Sequence, residues 1–134
     1  MESKRRVILD SNFLFVPLYF KIDVFEEIES LIGKFEPVVL STTIEELKGI
    51  VEKGSEKMRR NVNLALNLAR RCTILNVSRG SYESNDDVIV RVAKDNGYAV
   101  ATNDKNLRRK LRSKGVATIY VRERSKLELD GEIY

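Results

Sequence analysis

The sequence predicts an α/β fold, a three-layer sandwich whose central five-stranded parallel sheet carries helices on both faces. Three observations predict it. Short apolar, β-branched runs alternate with stretches of helical periodicity. Those runs are continuous in hydrophobicity, as in strands buried on both faces, and do not alternate as half-exposed antiparallel strands do. Turn and cap residues punctuate the runs at each end. Right-handed crossovers then put the first strand in the middle of a doubly wound sheet. A length of 134 residues suits one domain, 1–134.

The elements follow in order. Residues 7–9 read as the first strand, and 13–20 as an apolar, aromatic stretch in which Pro17 is a break or kink. Asp23 caps a helix to Ile32, with Val24, Phe25, Ile28, Leu31 and Ile32 on one face, and Gly33 stops it. Pro37 leads into a second strand, 38–40. Ile44, Leu47, Ile50 and Val51 recur at helical spacing after a cap at Thr42 or Thr43, and Gly54-Ser55 breaks the pattern. A longer helix spans 56–71, then a β-branched third strand 73–77 and a loop 79–84. The next helix, 85–96, ends at Gly97 and is followed by a fourth strand, 98–101. Thr102 or Asn103 caps a short helix to Ser113, Gly115 stops it, and 117–121 is the fifth strand. About residues 123–134 form an edge strand or a loose tail, with Leu127 and Leu129 alternating.

Composition excludes whole classes of chemistry. The chain has no histidine, which removes Ser-His-Asp and Cys-His catalysis, two-histidine nucleases and histidine-ligated zinc. One cysteine, Cys72, allows no internal disulfide, and its helical setting marks it as a packed thiol. No apolar run approaches the roughly 18 residues a membrane span needs. The opening segment leads into a strand and not into a signal-peptide core, so a cytoplasmic location is expected. A net charge of +4 is compatible with a polyanionic partner.

In a parallel sheet every strand ends on one edge, where such folds bind ligands. Four strand ends carry acids here: Asp10, the pair Glu45/Glu46, the pair Asp86/Asp87, and Asp104. Each pair also has a plain structural use. If Thr42 caps its helix, Glu45 is the capping-box partner and Glu46 projects about 100° away. If Ser84 is the cap, Asp87 is the partner and Asp86 is free. Asp104 alone could serve its helix dipole. Asp10, ending a buried strand, is hardest to explain as structure. Two unit charges 4 Å apart repel by about 4 kcal/mol at an effective dielectric near 20, so converging acids call for a cation. All-oxygen donors select Mg²⁺ or Mn²⁺, ions suited to phosphodiester chemistry. Over 105–126 there are nine Lys or Arg against one acid, Glu123, and Lys53, Lys57, Arg59 and Arg60 form a second basic set. Beside an acidic site, such a stripe suits a phosphate backbone.

The stretches Val7-Ile8-Leu9-Asp10-Ser11-Asn12, Thr43-Ile44-Glu45-Glu46-Leu47, Asn85-Asp86-Asp87-Val88-Ile89 and Val100-Ala101-Thr102-Asn103-Asp104 together resemble the PIN domain, in order and spacing. The resemblance implies a Mg²⁺- or Mn²⁺-dependent endoribonuclease on a parallel sheet of order 3-2-1-4-5. By position it makes Asp10, Glu46, Asp86 and Asp104 the catalytic and metal-binding acids, with Asp87 a further candidate ligand. It makes Asn12, Thr102 and Asn103 their polar supports. The run Asp104-Lys105-Asn106-Leu107-Arg108-Arg109-Lys110-Leu111-Arg112 is similar to the branch that processes small-subunit pre-ribosomal RNA, with VapC toxins as second choice. RNA contacts then fall to Lys105, Arg108, Arg109, Lys110 and Arg112, and the expected partners are ribosomal RNA or its precursor and ribosome-assembly proteins. A homodimer is compatible with the family. The cysteine pairs that other processing members add for zinc are missing.

Two other classes compete. One is a non-catalytic RNA-binding assembly factor with the same fold. The other is a receiver-like signalling domain, which would need an Asp after the third strand and a Lys after the fifth. Ser78-Arg79 and Arg122 stand there instead.

Overall fold

The computed structural model describes residues 5–133. The opening segment 1–4, weighed above against a signal peptide, and the last residue of the tail lie outside the described residues. Six strands, β1 (Arg5–Leu9), β2 (Phe35–Leu40), β3 (Thr73–Leu75), β4 (Ala99–Ala101), β5 (Thr118–Arg122) and β6 (Lys126–Asp130), form one sheet in the order β3-β2-β1-β4-β5-β6. The first five are parallel, with β1 between β2 and β4, as expected. Among its pairings, Ile8 lies opposite both Val38 and Val100.

Helices α1 (Val16–Phe20), α2 (Val24–Ile32), α3 (Ser41–Lys53), α4 (Glu56–Ala69), α5 (Asn85–Asn96) and α6 (Lys105–Ser113) complete the layers. Strand alternation divides the core in two. Val7, Leu9, Val39, Ala101 and Ile119 pack with Phe13, Ile28, Leu47 and Val62 on one face. Ile8, Val38, Leu40 and Val100 pack with Val88, Val92, Leu107 and Leu111 on the other. Burial on both sides is what made the strands read as continuous apolar runs.

The structure departs from expectation at several joints. The tail takes the edge-strand alternative, adding a sixth, antiparallel strand to the five expected: β6 returns beside β5 from Arg122↔Lys126 to Thr118↔Asp130. Glu123 and Arg124 make the reversal with φ of 55° and 62°, a left-handed turn with no glycine to announce it. Pro17 does not break a helix; it sits in the first turn of α1, where a missing N–H costs nothing. Neither Thr42 nor Thr43 caps α3. The helix starts directly off β2 with Leu40 at the cap position, so both threonines are buried within its first turn. Neither Thr102 nor Asn103 caps α6; Asp104 does. Strand β3 stops at Leu75, short of Val77, because Ser41 takes over the Val77 backbone: its hydroxyl accepts the Val77 N–H at 2.9 Å and donates to the Val77 carbonyl at 3.2 Å.

Candidate active site

Asp10 leaves the end of β1 buried, at 6% exposure. Its backbone N–H continues the sheet by donating to the Ala101 carbonyl at 3.0 Å. The side chain is fully engaged. Oδ1 accepts the Ser11 N–H at 2.8 Å, and Oδ2 accepts the Thr102 hydroxyl at 2.8 Å and the Asn12 amide at 3.1 Å. Thr102 and Asn12 are held in turn. The Thr102 hydroxyl oxygen accepts the Asp104 N–H at 3.1 Å, and Asn12 Oδ1 accepts the Asn103 N–H at 3.1 Å. Asn103 Oδ1 accepts the Val121 N–H at 2.9 Å. The three expected polar supports therefore stitch the carboxyl ends of β1, β4 and β5 around Asp10.

The other acids reach this edge from three helices. Glu46, in the first part of α3, accepts the Asn85 side-chain amide at 2.9 Å. Asp86 and Asp87 open α5. Ser84 caps that helix with a complete capping box, in which Asp87 Oδ2 accepts the Ser84 N–H at 2.9 Å and Ser84 Oγ accepts the Asp87 N–H at 3.1 Å. Asp87 is thus exposed and engaged in the helix start through Oδ2. Asp104 caps α6, its Oδ1 accepting the N–H groups of Asn106 and Leu107 at 2.9 and 3.1 Å.

Electrostatics tie the acids together. Burial pushes Asp10 up to about 6, the Thr102 and Ser11 hydrogen bonds oppose it, and the charges of Asp86 and Glu46 add to it. Asp86 is also raised, by burial first and then by Asp104, with Lys110 opposing and Glu46 and Asp87 adding. Among the described ion pairs none includes Asp10, Glu46, Asp86 or Asp104. The donor set is hard oxygen throughout, with no ion pair among the described residues, which fits a divalent cation in chemistry. Placement is looser: among the described residues no three acids stand close enough to hold one ion together.

The basic stripe separates into two groups. Lys105, Arg109 and Lys110 are exposed on α6. Arg108 and Arg112 are engaged within the protein. The Arg108 guanidinium lies over the Tyr120 ring, 3.9 Å from its centroid. Arg112 donates to the Val116 carbonyl at 3.2 Å and pairs with Asp130 at 3.5 Å, fastening the end of β6 to α6. Of the five expected RNA contacts, these two arginines therefore also have partners within the protein. Sequence reasoning also passed over Asn85, which holds Glu46; its position directly before Asp86 was the available signal. Lys110, expected as an RNA contact, also acts on Asp86 through its charge.

A profile of the PIN like domain family matches residues 7–124. The chain belongs to the PIN-like domain family. Ribonuclease VapC4 of Methanocaldococcus jannaschii is 36% identical to this PIN-like chain over 136 residues, covering 96% of this chain and 98% of that protein. The rRNA-processing protein fcf1 of Schizosaccharomyces pombe is 33% identical over 114 residues, covering 79% of this chain but only 53% of that protein. This PIN-like chain therefore spans about half the length of that yeast relative. Among solved structures, the PIN domain endonuclease Utp24 superposes with a TM-score of 0.76 at 28% identity, covering 96% of this chain and 92% of the other. VapBC2 from Rickettsia felis, bound to a DNA fragment of its promoter, shares the PIN-like fold at a TM-score of 0.61 and 18% identity. Among the described residues no helix is long and apolar enough to cross a membrane.

Proposed function

We propose that this protein is a Mg²⁺- or Mn²⁺-dependent endoribonuclease that hydrolyses RNA phosphodiester bonds in ribosomal RNA processing. One observation carries the reading. Asp10 is buried at the central strand end, beside two like charges, with no cation paired to it among the described residues. A structural acid in that position would be expected to have a lysine or arginine partner.

Asp10, Glu46, Asp86 and Asp104 would hold the ion, drawn closer together by it than they stand here. When bound, it supplies water activation and stabilisation of the leaving oxygen. The chain's own residues prepare that chemistry. Asn12, Thr102 and Asn103 fix the orientation of the Asp10 carboxylate, and Asn85 fixes Glu46. Burial keeps bulk water from Asp10 and strengthens its field. The exposed Lys105, Arg109 and Lys110 would meet the phosphate backbone. Similarity to the rRNA-processing protein fcf1 supports ribosomal RNA or its precursor as substrate, and similarity to the endonuclease Utp24 supports internal cleavage; ribosome-assembly proteins as partners and a cytoplasmic location complete this reading.

One observation favours a second reading. The match to VapC4 runs nearly end to end in both chains, which supports a toxin-type ribonuclease neutralised by an antitoxin. Both readings share the active site, and both admit a homodimer. The test is cleavage of structured RNA with Mn²⁺ by the protein and by Asp10→Asn. Cleavage that persists unchanged in the variant would sink the proposal.

A further inference from the structure

The segment 76–84, between β3 and α5, crosses the sheet edge that carries the acids. It has no regular structure of its own, yet its backbone is tied down at several points. Ser41 holds its start through both backbone groups of Val77. Arg91, on α5, holds its far half: Nε donates to Glu83 Oε2 at 2.8 Å, and Nη2 donates to Glu83 Oε1 at 3.0 Å and to the Ser78 carbonyl at 2.7 Å. Glu83 closes a tight turn, its Oε1 accepting the Gly80 N–H at 2.7 Å while its own N–H donates to the Gly80 carbonyl at 3.1 Å. A Cβ at position 80 would stand 3.0 Å from that Oε1, so a larger residue there would press on the Glu83 carboxylate.

At the tip of this braced loop Tyr82 is 99% exposed. A single exposed aromatic is ordinary on a protein surface. Here the setting is unusual, because the loop beneath the ring has already lost the backbone freedom that binding would otherwise cost. Arg79 is exposed on the same loop and makes no ion pair among the described residues. Tyr82 precedes Asp86 by four residues, so the chain holds it within about 14 Å of that acid. An aromatic face, an unpaired arginine and an acidic site within one short arc suit a single strand whose bases have come unstacked.

We propose that Tyr82 is a stacking platform for one base of single-stranded RNA, with Arg79 meeting an adjacent phosphate, so that the strand is laid across the acidic edge. The inference rests on the ribonuclease reading and adds a binding residue to it. Stacking is sequence-tolerant, because every base presents a π-face, so the platform sets strand position and not sequence. It acts equally on bound substrate and transition state, and its loss raises KM with kcat unchanged.

The chain has no tryptophan, so Tyr82→Trp creates a sole tryptophan, excited selectively to the red of tyrosine absorption. In EDTA, which prevents cleavage, this variant is titrated with single-stranded oligoadenylate and, separately, with inorganic polyphosphate. Quenching by the oligonucleotide but not by polyphosphate is expected. Tyr82→Ala should weaken binding of labelled oligoadenylate by about 5- to 150-fold, while Tyr82→Phe retains it. With Mn²⁺, the KM of Tyr82→Ala rises by a similar factor. Equal quenching by polyphosphate overturns the proposal, as does unchanged RNA affinity in Tyr82→Ala. A lowered melting temperature for Tyr82→Ala also overturns it, since a fully exposed ring should carry no packing. Those three results leave the ribonuclease reading intact. Absence of both RNA binding and cleavage in the unmodified protein overturns both.

Discussion

The Thr102 hydroxyl donates to Asp10 Oδ2 at 2.8 Å across the seam between β1 and β4, and its oxygen accepts the Asp104 N–H at 3.1 Å. One buried hydroxyl thus links two of the four acids. Thr102→Val keeps the shape and removes both bonds, leaving the Asp104 N–H without its partner. The expected loss is about 1–3 kcal/mol of folding stability. Because the hydroxyl favours ionised Asp10, the variant should also move the acid limb of the pH–rate profile to higher pH. Denaturant unfolding and a pH–rate series check the two effects, and an unshifted limb would separate Thr102 from Asp10.

Asp10 makes stability depend on pH with a definite sign. Its folded-state value lies above its unfolded value, at about 6 against 3.8. The folded protein therefore binds the proton more tightly. The associated stability is fully present below about 3.8 and is lost as the pH rises through about 6, a change of about 3 kcal/mol. Asp87, Glu83 and Glu128 are lowered and act in the opposite sense, so the difference between the protein and Asp10→Asn isolates the term. In chelator, Asp10→Asn should be the more stable of the two at pH 7 and should bind Mn²⁺ more weakly. Parallel stability curves for the two proteins would return Asp10 to a purely capping role.

Asp86 and Glu46 each raise Asp10 by their charge. Asp86→Asn and Glu46→Gln should therefore bring Asp10 closer to the ordinary carboxylate range, as read from its carboxyl carbon by NMR titration. Each should reduce cleavage by roughly 100-fold or more while the fold is kept. Asp87→Asn provides the contrast. It removes a capping-box partner, lowering stability by about 1 kcal/mol with metal affinity little changed.

The basic residues of α6 should divide by task. Lys105→Ala and Arg109→Ala should each reduce the log–log salt slope of RNA binding by about 0.7, with no change in melting temperature. Arg112→Ala should lower the melting temperature instead, because Arg112 joins α6 to Val116 and Asp130. Gly131→Ala should do the same, since its φ is +104° and an added Cβ would collide with the Arg112 guanidinium. A lowered salt slope with unchanged stability in Arg112→Ala would restore it to the RNA-facing set.

Much of the site was legible because its acids occupy strand ends, and strand ends are visible in sequence. Ser84 with Asp87 formed the capping box that their spacing predicts, which leaves the Asp86 side chain outside it. The same spacing argument failed at Thr42 and Glu45. There β2 runs into α3 without a linker, and burial of the threonines decided the joint. The turn at Glu123-Arg124 was illegible for a similar reason: pairing of β6 with β5 holds two non-glycine residues in the left-handed region, against local preference.

By itself, the sequence determined the alternation of buried strands and amphipathic helices, the central place of β1, and which acids lie on the carboxyl edge. Those follow from periodicity and chain direction, which are local properties. Only the tertiary structure decided what each charged group does. Arg112 came to tie α6 to β6, Asn85 came to hold Glu46, and Asp10 acquired its raised proton affinity. Burial and the distance between charges set those outcomes, and both arise only when residues far apart in the chain are packed together.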